Sequence, residues 1–83
     1  MRVSLRYFAS IREAVGTSTE SIDTSVRTIG ALRDELIAKG GPYAVALERG
    51  KSVRIALDQV LADDAAELRE GCEVAFFPPV TGG

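Results

Sequence analysis

With 83 residues the chain is one domain at most, and its 46% apolar content is enough for a core and argues against disorder. Histidine is absent, which removes the commonest general base and metal ligand at neutral pH and excludes Ser-His-Asp and Cys-His catalysis within the chain. A formal charge of −2, with Lys and Arg spread singly, argues against a nucleic-acid surface.

The single cysteine, Cys72, cannot close an internal disulfide, and a reducing compartment is the simplest setting. The N-terminus has no long apolar segment, and no run of about twenty apolar residues occurs. The expectation is a cytoplasmic, soluble domain, 1–83, without membrane contact.

Arg2 to Phe8 alternates, with Val3, Leu5 and Tyr7 on one face and Arg2, Ser4 and Arg6 on the other. This predicts a half-buried strand. Phe8 falls on the polar side, and two readings stay open: a cap on the core edge, or an exposed aromatic that touches a partner. Ala9–Val15 reads as a short helix closed by Gly16. Thr17–Ser25, rich in Thr and Ser, suits a second strand paired with the first.

Thr28 is a plausible helix N-cap. Ile29, Leu32, Leu36 and Ile37 follow at i, i+3, i+7 and i+8, the clearest helical stripe in the chain. Gly40-Gly41-Pro42 stops that helix, and Tyr43–Arg49 reads as a further short helix ended by Gly50. Ser52–Leu57 alternates as a strand, Asp58-Gln59 is a turn, and Val60-Leu61 a brief strand. Asp63, Asp64, Glu67 and Glu70 form an acidic run that reads as a solvated face, since it lacks the spacing of a calcium loop. After a Glu70-Gly71 turn, Glu73–Phe77 is the last strand. The first and last strands are the most apolar and are expected to lie centrally in a mixed sheet. The predicted class is α+β: a β-grasp roll of about five strands clasping one main helix.

No P-loop, dinucleotide fingerprint or zinc spacing is present, and no metal site is expected. Cys72 has Glu73 beside it and no base, so it reads as structural. Lys39, Tyr43 and Lys51 are lone polar groups.

The distinctive stretch is Phe76-Phe77-Pro78-Pro79-Val80-Thr81-Gly82-Gly83. If Val74 and Phe76 face the helix, Ala75 and Phe77 face away from it, and Phe8 can join them from the neighbouring strand. Such a patch suggests a protein-binding surface, the alternative being an isolated exposed aromatic. Pro78-Pro79 ends the ladder, because neither residue has an N–H to donate. From Pro78 to Gly83 the chain spans at most roughly 20 Å. Gly82-Gly83 has no side chain to hinder another backbone, and the Gly83 carboxylate is open on every side.

The ending from Gly71 to Gly83, G-C-E-V-A-F-F-P-P-V-T-G-G, resembles the small subunit of molybdopterin synthase, with Cys72 at a variable position. Tyr7-Phe8-Ala9, Ile11-Arg12-Glu13 and Gly16 extend the resemblance to the beginning, and Ala46-Leu47-Glu48 with Gly50-Lys51 to the middle. The resemblance implies a ubiquitin-like sulfur carrier, itself non-catalytic. An E1-like enzyme would use ATP to adenylate the Gly83 carboxylate, and a sulfur donor protein would convert it to a thiocarboxylate. The tail, Pro78, Pro79, Val80, Thr81 and Gly82, would then thread into the large subunit. There sulfur would pass to cyclic pyranopterin monophosphate, within a heterotetramer whose catalytic basic residues belong to the large subunit. The resemblance implies no cofactor bound by this chain. A β-grasp carrier for thiamine or another sulfur pathway, a protein modifier, and a binding module with an inert tail are the alternatives.

Overall fold

Strict alternation makes Arg2–Tyr7 the first strand, β1, with Val3, Leu5 and Tyr7 buried and Arg2, Ser4 and Arg6 on the opposite face. The architecture is that of a computed structural model, which describes residues 1–79. Helix α1 (Ala9–Val15) ends at Gly16, whose φ of 93° is left-handed and whose N–H donates to the Arg12 carbonyl. Strand β2 (Thr19–Asp23) is shorter than the Thr17–Ser25 reading. The Thr17 hydroxyl donates to the Thr19 carbonyl in a turn, and the Thr24 hydroxyl leaves the sheet to donate to Glu35.

Helix α2 (Ile29–Ala38) starts as expected: the Thr28 hydroxyl oxygen accepts from the Ala31 N–H. Helix α3 (Gly41–Leu47) begins two residues earlier than its reading and stops at Glu48, not Gly50. Only Gly40, with φ 77°, separates it from the Lys39 cap, and Pro42 sits in the first helical turn, where no intrahelical N–H is needed. Strands β3 (Arg54–Leu57) and β4 (Val60–Ala62) flank Asp58-Gln59, both at positive φ (49° and 70°) as a two-residue hairpin turn demands. Strand β5 is Glu73–Phe77.

The five strands lie in the order β2-β1-β5-β3-β4. β1 and β5 are parallel and interior, and every other pairing is antiparallel. Ile29, Leu32 and Leu36 of α2 lie in one buried cluster with Val3, Leu5 and Tyr7 of β1 and Val74 and Phe76 of β5. This is the β-grasp arrangement, and the apolar stripe of α2 is why the sheet closes on that helix.

Two details hold α2 in place. Arg33, buried although charged, donates from Nε to the Leu47 carbonyl (2.7 Å) and from one terminal nitrogen to those of Glu48 (2.9 Å) and Lys51 (3.2 Å). Burial first, then the nearby Arg49 cation, lowers its pKa. Arg49 bridges Asp34 and Asp64 and also donates to the Gly30 carbonyl.

Candidate functional site

Because β1 and β5 run parallel, both carry their C-terminal ends to one side of the sheet, and the tail leaves there. Alternation in β5 places Val74 and Phe76 in the core with no exposed surface. The Phe76 ring stacks on Tyr7, centroids 6.0 Å apart and planes at 14°. The Phe8 N–H donates to the Phe76 carbonyl (3.1 Å), which extends the β1–β5 pairing to the strand's end. Pro78 and Pro79 follow, half-buried, with no N–H to continue it.

The opposite face of the sheet is organised by register. Arg6 lies beside Ala75, Ala75 beside Ala56, and Ala56 beside Leu61, one row across four strands. Phe77 is cross-strand from Arg54 in the next row. An open groove of about 720 Å³ runs over this face, lined by Phe8, Phe77, Pro78 and Pro79 on the tail side, with Ala75 and Ala56 below. Gln59, Arg6 and Glu73 border it, and among the described residues Glu73 is the one carboxylate in the lining.

The three residues expected to meet a partner therefore come together. Phe8 is 39% exposed, which favours the exposed-aromatic reading over a cap on the core edge. Phe77 is half-buried on the outer face, as alternation required. Ala75 belongs to that face and lies outside the main core cluster, yet only 7% of it is exposed: its neighbours overhang it, so it is a floor and not a protrusion. Val80, Thr81, Gly82 and Gly83 lie outside the described residues.

The sequence reading missed Arg6 as part of this surface, and Leu61 as its neighbour in the same row beyond the groove lining. Arg6 places its guanidinium carbon 5.3 Å from the centroid of the Phe8 ring and 3.9 Å separates its nearest nitrogen from Glu73. Leu61 is 62% exposed. The available signal was parity: Phe8 continues the extended chain one residue past β1, on the same side as Arg6, and the two-residue turn after Leu57 fixes Leu61 opposite Ala56.

Two of the lone polar groups, Tyr43 and Lys39, acquire partners. Tyr43 and Tyr7 both donate to the same Glu20 oxygen, at 2.7 and 2.8 Å. Burial foremost, then the Glu20 hydrogen bond, pushes the Tyr7 pKa far up; for Tyr43 the Glu20 bond is the larger cause and burial the second. The Lys39 ammonium lies over the Tyr43 ring, and Lys51 shares a small recess of about 110 Å³ with Pro78. Cys72 is buried in the core, as a structural residue should be. The acidic run is exposed, with Asp64 paired to Arg49 (2.6 Å) and Glu70 accepting from the Arg2 N–H, and among the described residues no cluster of three or more His, Cys, Asp or Glu could hold a metal. No helix of the described residues is long and apolar enough to cross a membrane.

A groove with an alanine floor, aromatic and proline walls and, among the described residues, a single carboxylate suits protein contact more than bond-making. The family model described as ThiS family matches residues 5–83. The molybdopterin synthase sulfur carrier subunit of Escherichia coli (strain K12) is 42% identical over 81 residues, covering 98% of this chain and 99% of the relative. A protein–protein complex of subunits 1 and 2 of the molybdopterin-converting factor from Helicobacter pylori contains a chain of like fold, with TM-score 0.70, 28% identity and full coverage of both chains. SAMP1 from Haloferax volcanii superposes with TM-score 0.77 at 25% identity, again over the whole of both chains.

Proposed function

The chain belongs to the ThiS family, and from that premise we propose that it is the sulfur-carrier subunit of a molybdopterin synthase, delivering sulfur from the Gly83 carboxylate to cyclic pyranopterin monophosphate. The observation that carries the reading is a likeness to named sulfur carrier subunits of molybdopterin synthase over nearly the full length of both chains, within a family match that runs through Gly83.

The chemistry explains the division of labour. A carboxylate is a poor electrophile. An E1-like enzyme joins the Gly83 carboxylate to AMP from ATP, releasing pyrophosphate. Sulfur supplied by a donor protein at the oxidation level of hydrosulfide then attacks the acyl carbon, AMP leaves, and loss of the proton gives a thiocarboxylate. This chain binds no ATP itself and supplies no acid or base. It supplies a rigid strand end, a stiff Pro78-Pro79 exit, and a glycine terminus that enters the large subunit without side-chain hindrance. Each molybdopterin dithiolene takes two sulfurs, so two carriers serve one product. The pathway operates in the cytoplasm.

Phe8, Phe77 and the two prolines give the large subunit an apolar surface continuous with the tail. A subunit 1–subunit 2 complex among the structures of like fold supports this pairing. The test is a reconstituted assay with the large subunit, activating enzyme, ATP and sulfur source. Deleting Gly83 is expected to abolish molybdopterin formation, and the intact chain is expected to gain the mass difference between sulfur and oxygen. Product formation by the deletion variant would overturn the carrier reading. Stable isopeptide conjugates to other proteins, with no molybdopterin, would mark a protein modifier instead.

A further inference from the structure

We propose that Arg6 is a specificity-determining residue of the outer-face groove, and that the large-subunit segment seated there brings a carboxylate to meet it. This rests on the reading of that face as the surface presented to the large subunit.

Register gives the outer face a polarity, with Arg6, Ala75 and Ala56 lining the groove and Leu61 beyond its edge. Leu61, Ala56, Ala75 and Arg6 form one row, and strands about 4.8 Å apart place Arg6 roughly 14 Å from Leu61. Leu61 is an exposed apolar end, the two alanines a shallow middle, and Arg6 a charged end. A segment lying across the strands therefore meets apolar surface first and a cation last.

Arg6 is equipped for a further partner. Its side chain is 43% exposed. The Phe8 ring beneath it restricts its freedom, so less entropy is lost when a ligand engages the guanidinium. Its one ion-pair contact among the described residues is Glu73 at 3.9 Å, beyond hydrogen-bond distance. Glu73 is committed elsewhere only through its backbone, whose N–H donates to Asp58 and whose carbonyl accepts from the Asp58 N–H. The two-pronged hydrogen bonding that a guanidinium offers a carboxylate is thus unused.

Seating a partner strips water from Arg6. With only a distant Glu73 in compensation, that desolvation opposes binding unless the partner supplies an acceptor. A carboxylate restores it with two charge-assisted bonds, whereas a neutral or cationic residue leaves the penalty standing. The rest of the chain does not attract acidic partners, since its net charge is −2. The preference for an acid is local to Arg6.

The test measures the affinity of the full-length chain for the large subunit of the same organism at low and moderate salt. Arg6→Glu is expected to weaken binding at least about tenfold, and Arg6→Gln about threefold or more with a flatter salt dependence. Arg6→Lys, which keeps the charge and loses the fork, falls between wild type and Arg6→Gln. Thermal melting checks that each variant is folded. Arg54→Gln removes a cation beside Phe77 that does not line the groove, and it is expected to change affinity less than about twofold. A loss for Arg54→Gln equal to that for Arg6→Gln would overturn the proposal in favour of diffuse charge. Phe77→Ala separates the two levels of the argument. If Phe77→Ala weakens binding while Arg6→Glu binds as wild type, the Arg6 assignment is wrong and the docking face stands. If both bind as wild type, the docking face itself is wrong.

Discussion

Tyr7 shows how one side chain ties the core strands to the edge of the sheet. Its ring stacks on Phe76, and its hydroxyl shares Glu20 with Tyr43. Burial and the Glu20 carboxylate both disfavour a phenolate, so the folded-state pKa stands above the ordinary value of 10.0. The sign follows from proton binding. Above pH 10 the unfolded chain loses this proton while the folded chain keeps it, so stability falls as pH rises. The contribution is complete below about pH 10 and is lost progressively above it. Tyr7→Phe removes the titrating group. It is expected to cost about 1 kcal/mol at neutral pH, from the lost hydrogen bond, and to give a shallower alkaline fall in stability than wild type. Denaturant unfolding at a series of pH values checks this, and parallel pH profiles for the two proteins would contradict it.

At the scale of elements, the first turn of α2 carries more than its cap. The Ile29 N–H donates to the Ala66 carbonyl and the Gly30 N–H to that of Asp64, both at 3.0 Å, so the acidic loop is laced to the helix start. A Cβ on Gly30 would lie 3.0 Å from the Asp64 Cβ and 3.2 Å from its carbonyl oxygen. The loop cannot withdraw without loosening those bonds and the Arg49–Asp64 pair. Alanine would favour the helix by up to about 1 kcal/mol, but the clash is expected to win. Gly30→Ala should therefore destabilise the fold by a net of about 1–2 kcal/mol, seen as a lower Tm. An unchanged or raised Tm would mean that the loop yields freely.

For the molecule as a whole, the parallel pairing of β1 with β5 decides where the candidate site sits. It brings Phe8 and Phe77 to the same end of the sheet and buries β5 between two neighbours, so the tail leaves from a strand held on both sides. Two adjacent phenylalanines therefore have opposite duties. Phe76→Ala, in the core, is expected to cost about 3–5 kcal/mol of stability. Phe77→Ala, on the groove, is expected to cost much less stability and to weaken large-subunit binding about tenfold or more. Paired melting and binding measurements separate them. A larger loss of stability than of affinity for Phe77→Ala would place that ring in the core.

Much of this protein was legible in its residues because periodicity and stop signals are local. The alternation of Arg2–Tyr7, the stripe from Ile29 to Ile37, Gly16 as a left-handed cap and Thr28 as an N-cap each declare an element without reference to the rest of the chain. The β-grasp class followed from their order and from the apolar character of the first and last strands. Residues closer to the turns were read less well: Gly50 proved not to end α3, and Gly41 and Pro42 open that helix, because the hydrogen bonds that settle such boundaries come from the surroundings. Tertiary structure alone decided the neighbours. Arg33 in a cage of carbonyls, Tyr7 and Tyr43 on one carboxylate, and Arg6 in a row with Ala75, Ala56 and Leu61 join residues far apart in the chain. Strand parity determined that Phe8 and Phe77 leave the core. Only the pairing of strands decided that they leave it together, and that an arginine closes the groove they form.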